Sequence, residues 1–352
     1  IKSLPVGTIV HKQNLYRKSI YKGDQLQRET FLQKSTYHYF KGRNYLEHQS
    51  YLYFILPASK TTKASGYINP FKTVKTDFYK KIKARAQAFQ HAVYDVIAFV
   101  QNSKKIEIQP LHSSSFHQQT QSYFNGFNEH VDTDIELSKE IKIGKYYFDV
   151  LAINSELCFG DTLQTSKINE EFTSDDFSFH QGFIDGLGLN LHENHMVNQV
   201  LFLDDKHRWR KLLEKKVTAL QKSANFGTQN KVILEKIKHI LDRINKDEQS
   251  RIIRGQLNVI YWSETLEQLK SISSQIKGEF KELDMIPYAP KGDARKHYYL
   301  NSYFCYSSNF TDEDLYVSDL KHALCLWIQS TNYKSDQQGV IFNDRQHNLP
   351  IL

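Results

Sequence analysis

Several absences narrow the reading first. Three cysteines among 352 residues, Cys158, Cys305 and Cys325, are odd in number, far apart and without a C-x-x-C pair. That excludes a disulfide framework and a zinc knuckle, and a reducing, cytoplasmic setting is the simplest inference. Seven prolines and fifteen glycines are too few for a fibrous or linker-like chain. No apolar run approaches the ~18 residues of a spanning helix, the best being short stretches such as Val96-Ile97-Ala98-Phe99-Val100. The start, Ile1-Lys2-Ser3-Leu4-Pro5-Val6-Gly7, shows no basic segment leading into an apolar one. No secretory signal is read there, and the chain opens as an internal segment would. In a cytosolic chain the single Asn309-Phe310-Thr311 sequon has no consequence.

Motifs of chemistry are also missing. A phosphate-binding loop needs G-x-x-x-x-G-K-[ST], but the only Gly-Lys pair, Gly144-Lys145, is followed by Tyr146 and has Lys139 where the first glycine belongs. The cluster Gly182, Gly186-Leu187-Gly188 lacks the third glycine of a dinucleotide fingerprint and reads as a turn. His192-Glu193-Asn194-His195 is H-E-x-H rather than the H-E-x-x-H of a zinc helix, and no third ligand is indicated. There is no G-x-S-x-G, and no cysteine carries a cue for a catalytic histidine. No catalytic, cofactor-binding or metal-ligating residue is therefore assigned.

What is present is material for a core. Hydrophobic residues make up 40% of the chain, with 21 tyrosines and 22 phenylalanines, enough for a folded protein of two subdomains. Strand-like and helix-like runs alternate without a fixed repeat, predicting an α+β fold of mixed sheets with packed helices. Strands are read at residues 7–13, 49–56, 257–262 and, as a pair, 141–153. Helices are read at about 29–40, at about 78–101 and after Ser263, which is read as an N-cap. In the helix at 78–101 a stripe of Ile82, Phe89, Val93, Val96, Ile97 and Val100 faces one way, and Lys80, Lys81, Lys83 and Arg85 crowd its start. After Ser263 the apolar face carries Leu266, Leu269, Ile272 or Ser273, Ile276, Phe280 and Leu283. Residues 58–70 are a polar loop, 287–297 a turn-rich one, and 339–345 a last strand and turn. Residues 158–179 form an irregular acidic linker, placing a first subdomain at 1–157 and a second at 180–352.

The most legible element is a helical hairpin within 204–254. Trp209, Leu213, Val217 and Leu220 recur at helical spacing, as do Ile233, Ile237, Ile240 and Ile244. Asn225-Phe226-Gly227 makes the turn, and Thr228 caps the second arm. The arms are about 30 Å long, and the hairpin protrudes.

Charge is unevenly placed. Residues 206–254 hold fourteen Lys or Arg against five Asp or Glu, a surplus of nine, although the whole chain carries only +7. A basic hairpin can track phosphates or lie on anionic headgroups, and its candidate contacts are Lys211, Lys215, Lys216, Lys236, Lys238 and Arg243. A solvated helical surface is the plainer alternative.

Several stretches together resemble the TraG-type ATPases of conjugative transposons, which belong to the VirB-class ATPases of type IV secretion. The family's H-K-Q is similar to His11-Lys12-Gln13, and its H-F…R-x-Y-L-x-H segment to Tyr39-Phe40-Lys41-Gly42-Arg43-Asn44-Tyr45-Leu46-Glu47-His48, where Tyr39 departs. Its H-x-x-x-N-Q-x-x-x-x-D-D segment resembles His195 to Asp205, where the chain departs by having one residue fewer between His195 and Asn198. Asn258-Val259-Ile260-Tyr261-Trp262 and Gly339-Val340-Ile341-Phe342-Asn343-Asp344-Arg345 resemble a strand-to-helix segment and the lead-in to the ATPase core. The resemblance lies in order and spacing, and none of the stretches is a catalytic signature. It implies an N-terminal docking domain that couples ATP turnover, in a P-loop domain following residue 352, to a DNA-transfer channel. ATP and Mg²⁺ would belong to that following domain and no cofactor to this one. The implied partners are inner-membrane and cytoplasmic channel components, the chain's own ATPase domain, further copies in the full-length protein, and DNA. The implied location is peripheral, at the inner face of the bacterial inner membrane.

Overall fold

The computed structural model describes residues 1–22, 30–57, 76–103, 106–128, 134–138, 140–160, 162–223, 228–246, 251–330, 342–343 and 350–351. The elements run β1 (Ile9–Ile20), α1 (Phe31–Phe40), β2 (Asn44–Ile55), α2 (Thr76–Asn102), α3 (Ser113–Phe124), β3 (Ile135–Leu137), β4 (Ile141–Ile143) and β5 (Tyr146–Ile153). Then come β6 (Ser166–Ile168), β7 (His180–Gly182), α4 (Gly186–Leu189), β8 (His195–Leu203), α5 (Lys206–Ser223), α6 (Thr228–Lys246) and β9 (Ile252–Ser263). The chain continues through α7 (Leu266–Glu282), α8 (Asp293–Asn301), β10 (Tyr316–Asp319), α9 (Leu320–Cys325), β11 (Phe342–Asn343) and β12 (Pro350–Ile351).

This is an α+β fold built on one large sheet, ordered β2-β1-β8-β9-β5-β4-β3, with β10 pairing the first residues of β9. Every pairing among the described strands is antiparallel. The expected division at 158–179 does not divide this sheet. Residues before it supply both flanks, β2-β1 and β5-β4-β3, and residues after it supply the central pair β8 and β9. The two halves therefore share one core, the buried cluster on each sheet face drawing residues from both. The segment expected to be an irregular linker begins at the end of one 3-10 turn, Glu156–Cys158, and contains a second, Glu170–Phe172, and β6, which pairs with β7.

Both faces of the sheet are buried. One face places Val10, Tyr16, Leu151, Val197, Leu201, Leu257 and Val259 against Leu269, Ile272, Ile276 and Phe280 of α7, Leu320 and Ala323 of α9, and Val96 of α2. The other packs Ile9, Leu15, Phe148, Val150, Met196, Val200 and Ile260 under Tyr123 of α3, Tyr298 and Tyr299 of α8, and the 3-10 turn holding Phe304. In an extended strand alternate side chains point to opposite faces, so a strand at the centre of such a sandwich loses its amphipathic signature. β8 is the extreme case, buried at every residue from His195 to Leu203.

Local chemistry sets the helix ends. Thr30 accepts from Gln33 N while the Gln33 side chain accepts from Thr30 N, a reciprocal cap that starts α1. The cap of α7 is Thr265, whose hydroxyl accepts from Gln268 N, and not Ser263, whose hydroxyl donates to the Thr265 carbonyl. Helix α2 extends over the expected span, but its stripe is covered only toward the C-terminal end, where Val96 is buried and Ile97 half-buried, whereas Ile82 is exposed. The polar loop at 58–70 and the turn Asn225-Phe226-Gly227 lie outside the described residues.

Candidate interaction surface

Strands β8 and β9 are neighbours, Leu203 pairing with Ile253. Antiparallel neighbours can be joined by a two-residue turn, yet here α5 and α6 form the connection. They pack on each other as the expected hairpin, with Trp209, Leu213, Val217 and Leu220 half-buried along α5 and Leu234 and Ile237 buried on α6. Leu234 was not among the residues expected in the seam. The side chains of Ile233, Ile240 and Ile244 lie outside the described residues.

The root of the hairpin is fixed to the sheet. Asp204, just past β8, takes a two-pronged bond from Arg254 of β9, with Nε to Oδ2 at 2.6 Å and Nη2 to Oδ1 at 2.9 Å. It also accepts from Trp209 Nε1 at 2.8 Å, which ties the first turn of α5 to the same carboxylate. The remaining Arg254 nitrogen donates to Asp312, and the guanidinium stands 5.5 Å over the Phe202 ring. A planar fork on a carboxylate fixes orientation as well as distance, so the outward face of α5 has a defined direction relative to the sheet.

That outward face is basic. Arg208, Lys211, Lys215 and Lys222 recur at spacings of 3, 4 and 7, and at about 100° per residue they fall on one line opposite the Trp209–Leu213–Val217–Leu220 seam. All four are exposed, and among the described residues none is in an ion pair. Arg210, off this line, pairs with Glu214 at 2.9 Å. The stripe spans about 21 Å. Helix α6 differs: its exposed Lys231, Lys238 and Lys246 are interspersed with exposed Glu235 and Asp242.

Of the residues singled out from sequence, Lys211 and Lys215 lie in the stripe, Lys216 is exposed on its flank, and Lys238 is exposed on the mixed face of α6. The side chains of Lys236 and Arg243 lie outside the described residues. Arg208 and Lys222 were not singled out, and the signal that finds them is helical phase relative to the seam.

No protein-family model matches the chain, and no curated protein matches it.

Of the stretches that carry the family resemblance, residues 11–13, 195–203 and 258–262 lie in β1, β8 and β9, residues 39–48 run from α1 into β2, Asp204 and Asp205 are at the hairpin root, and residues 339–341 and 344–345 lie outside the described residues. His11, Gln13, Asn198 and Asn258 form a chain of side chains across β1, β8 and β9. Asn198 Oδ1 accepts from His11 Nε2 at 3.1 Å and Gln13 Nε2 at 2.9 Å, and Asn198 Nδ2 donates to Asn258 Oδ1 at 3.0 Å. Asn258 continues to Gln256 and Ser302, while His11 Nδ1 meets Ser307 Oγ at 2.9 Å. On the opposite face the ammonium of the half-buried Lys12 donates to the Ile328 carbonyl, and Gln199 donates to that of Leu326. Buried polar groups that satisfy one another at fixed register exclude slipped pairings. Their chemistry here is positional. Burial lowers the pKa of His11 to about 4, against which its bond to Asn198 works, and lowers that of Lys12 to about 8, opposed by Asp185.

The Gly182–Gly188 cluster is also accounted for by packing. A Cβ on Gly188 would come within 2.1 Å of the Tyr16 hydroxyl, and one on Gly182 within 2.6 Å of the Asp185 carboxylate. His192 is exposed and His195 buried, so the H-E-x-H pair does not converge. A polar cleft of about 350 Å³ lies at the other end of β8 and β9 from the hairpin, between Lys18, Glu193 and Asn194 and the α7 residues Gln268, Ser271 and Gln275.

Proposed function

We propose that this chain is the assembly domain of a TraG-type conjugation ATPase, docking the ATPase on a DNA-transfer channel through the outward face of α5. The observation that carries the reading is the exposed line of Arg208, Lys211, Lys215 and Lys222 on a helix whose root is held by Asp204 and Arg254. An oriented basic rod suits an acidic protein surface, because complementary charge steers association and fixes register. The family resemblance supports the same reading, since its residues include the buried polar chain that sets the register of β1, β8 and β9. Residues shared for that reason bear on the scaffold and not on a reaction.

In this reading ATP and Mg²⁺ are handled by the domain that follows in such proteins, and the chain sits at the inner face of the inner membrane as a peripheral component. Among the described residues no helix is long and apolar enough to cross a membrane.

The test is twofold. The purified chain should not hydrolyse ATP, and its overproduction in a donor strain should lower transfer frequency by occupying the docking surface, with a Lys211→Glu/Lys215→Glu version failing to do so. ATP turnover by the chain, or equal interference from both versions, overturns the proposal.

A second reading is favoured by the reach of the stripe: about 21 Å of exposed cations can follow a nucleic-acid backbone. Affinity for single- or double-stranded DNA that falls steeply with salt, and falls with the charge reversal, would select it over the protein partner.

A further inference from the structure

His195 opens β8 and is completely buried. Both of its ring nitrogens face backbone carbonyl oxygens, Nδ1 at 2.7 Å from Glu193 O and Nε2 at 2.8 Å from Leu187 O. A carbonyl oxygen only accepts, and a neutral imidazole has a single N–H. Two such contacts at hydrogen-bond length are satisfied together only by the doubly protonated ring. One face of the ring stacks on Tyr16, centroids 4.5 Å apart and planes 10° from parallel, and Tyr16 stacks in turn on His48 at 4.2 Å. A cation over an aromatic face is stabilised by the ring quadrupole.

His11 provides the contrast. Its partners are an acceptor, Asn198 Oδ1, and a hydroxyl, Ser307 Oγ, that can donate. One proton suffices there, and the neutral ring fits. His11 and His195, both buried, are built for opposite charge states.

We propose that His195 is held as an imidazolium and acts as a pH-sensitive pin between the sheet and the α4 turn. When it loses a proton, one carbonyl loses its donor. The bond to Glu193 is local, two residues away, whereas the bond to Leu187 spans the turn, so α4 is the element released. Asp185, at the head of that turn, accepts from Gly182 N at 3.0 Å, Gln329 N at 2.6 Å and Ser330 N at 3.1 Å. Loosening α4 therefore also loosens residues 329–330.

The ionisable groups around the pin are distributed over the neighbouring elements. Tyr16 and His48 lie on one side in register, and Tyr261 of β9 and Asp149 of β5 on the other. Asp185 lies close enough to act on Tyr16 and Lys12, the Glu193 carboxylate is turned to Lys18 at 2.6 Å, and Glu279 of α7 holds Asn190 at 3.0 Å. A group stabilised in its protonated form contributes most below its titration and loses that contribution as pH rises through it. The pin therefore holds at neutral and acid pH and opens toward alkaline pH.

The test is nitrogen NMR of the histidine rings in the intact chain, with amide exchange followed over the same pH series. At pH 7 His195 should show two protonated ring nitrogens and His11 one. Deprotonation of His195 should bring a loss of protection of about tenfold or more at Gly188, Leu189 and Asn190, whose amides donate within the turn, and none along β1. A neutral His195 ring at pH 7, or a titration that leaves those amides unchanged, overturns the proposal. In His195→Gln, which keeps a donor without a titrating proton, the pH step in protection should vanish; if that variant does not fold, the two measurements on the native chain decide.

Discussion

Arg254 grips Asp204 across the mouth of the helical hairpin, closing the path between β8 and β9 with two parallel hydrogen bonds at 2.6 and 2.9 Å. The pair is mostly shielded, with side chains 23% and 13% exposed. Removing one partner strands the other charge, a larger loss than the net contribution of the pair. Arg254→Ala should therefore destabilise the chain by about 2–3 kcal/mol, read as a drop in urea midpoint at unchanged slope. It should also raise amide exchange in the first turn of α5, because Trp209 shares the Asp204 carboxylate.

Charge reversal on the outward face of α5 should separate contact from stability. Lys211 and Lys215 are exposed and opposite the seam, so Lys211→Glu/Lys215→Glu should leave unfolding free energy within about 0.5 kcal/mol. The same exchange at Leu234 and Ile237, buried in the seam, should melt the hairpin. Circular dichroism and a denaturant titration distinguish the two.

His11 makes stability depend on acid. Its folded pKa, lowered to about 4 mainly by burial, lies below the ordinary 6.5. Between these values the unfolded chain binds the extra proton and the folded chain does not, so stability rises with pH across that window. The contribution is about 3 kcal/mol. Unfolding midpoints at pH 4.5 and 7 should differ by less in His11→Gln than in the native chain. An equal difference would mean that other groups carry the acid sensitivity.

Gly188→Ala should cost about 2–3 kcal/mol, because its Cβ would meet a Tyr16 hydroxyl that cannot retreat from between His48 and His195. Adding Tyr16→Phe removes the nearest atom, at 2.1 Å, but leaves the ring carbon at 2.7 Å. A double-mutant cycle should show partial, not full, rescue.

The parts of the fold that could be read from sequence are those with an amphipathic period. The hairpin and α7 each present an apolar line at helical spacing, and β9 ends in an unbroken apolar run. Strand β8 is legible only as part of a resemblance, because His195, Asn198 and Gln199 break its apolar pattern and the partners of the last two are remote in sequence: Asn198 reaches His11 and, through it, Ser307, and Gln199 reaches the Leu326 carbonyl. Helix α3, Ser113–Phe124, is rich in Ser and Gln and buries Tyr123 fully, too little to register as a period. The turn-rich loop expected at 287–297 takes in only residues 293–297 of α8; the helix continues to Asn301, anchored by Tyr298 and Tyr299 beyond the expected loop. The expected two-subdomain division followed a real drop in apolar content, but composition carries no information on strand order, and the strands interleave across it. The basic surface was found by counting charge. Its narrowing to Arg208, Lys211, Lys215 and Lys222 needs helical phase relative to the seam, and the Asp204–Arg254 clamp then sets which way that line faces.

In the proposed function the outward face of α5 is the contact through which this chain engages a transfer channel. The most direct measurement is conjugative transfer from a donor in which the chromosomal or element-borne copy carries Lys211→Glu/Lys215→Glu, with protein level and fold verified. Transfer at least about tenfold below the native donor is predicted, as expected for loss of ~1.4 kcal/mol or more of contact energy. Transfer at the native frequency with a folded, normally abundant variant would contradict the account.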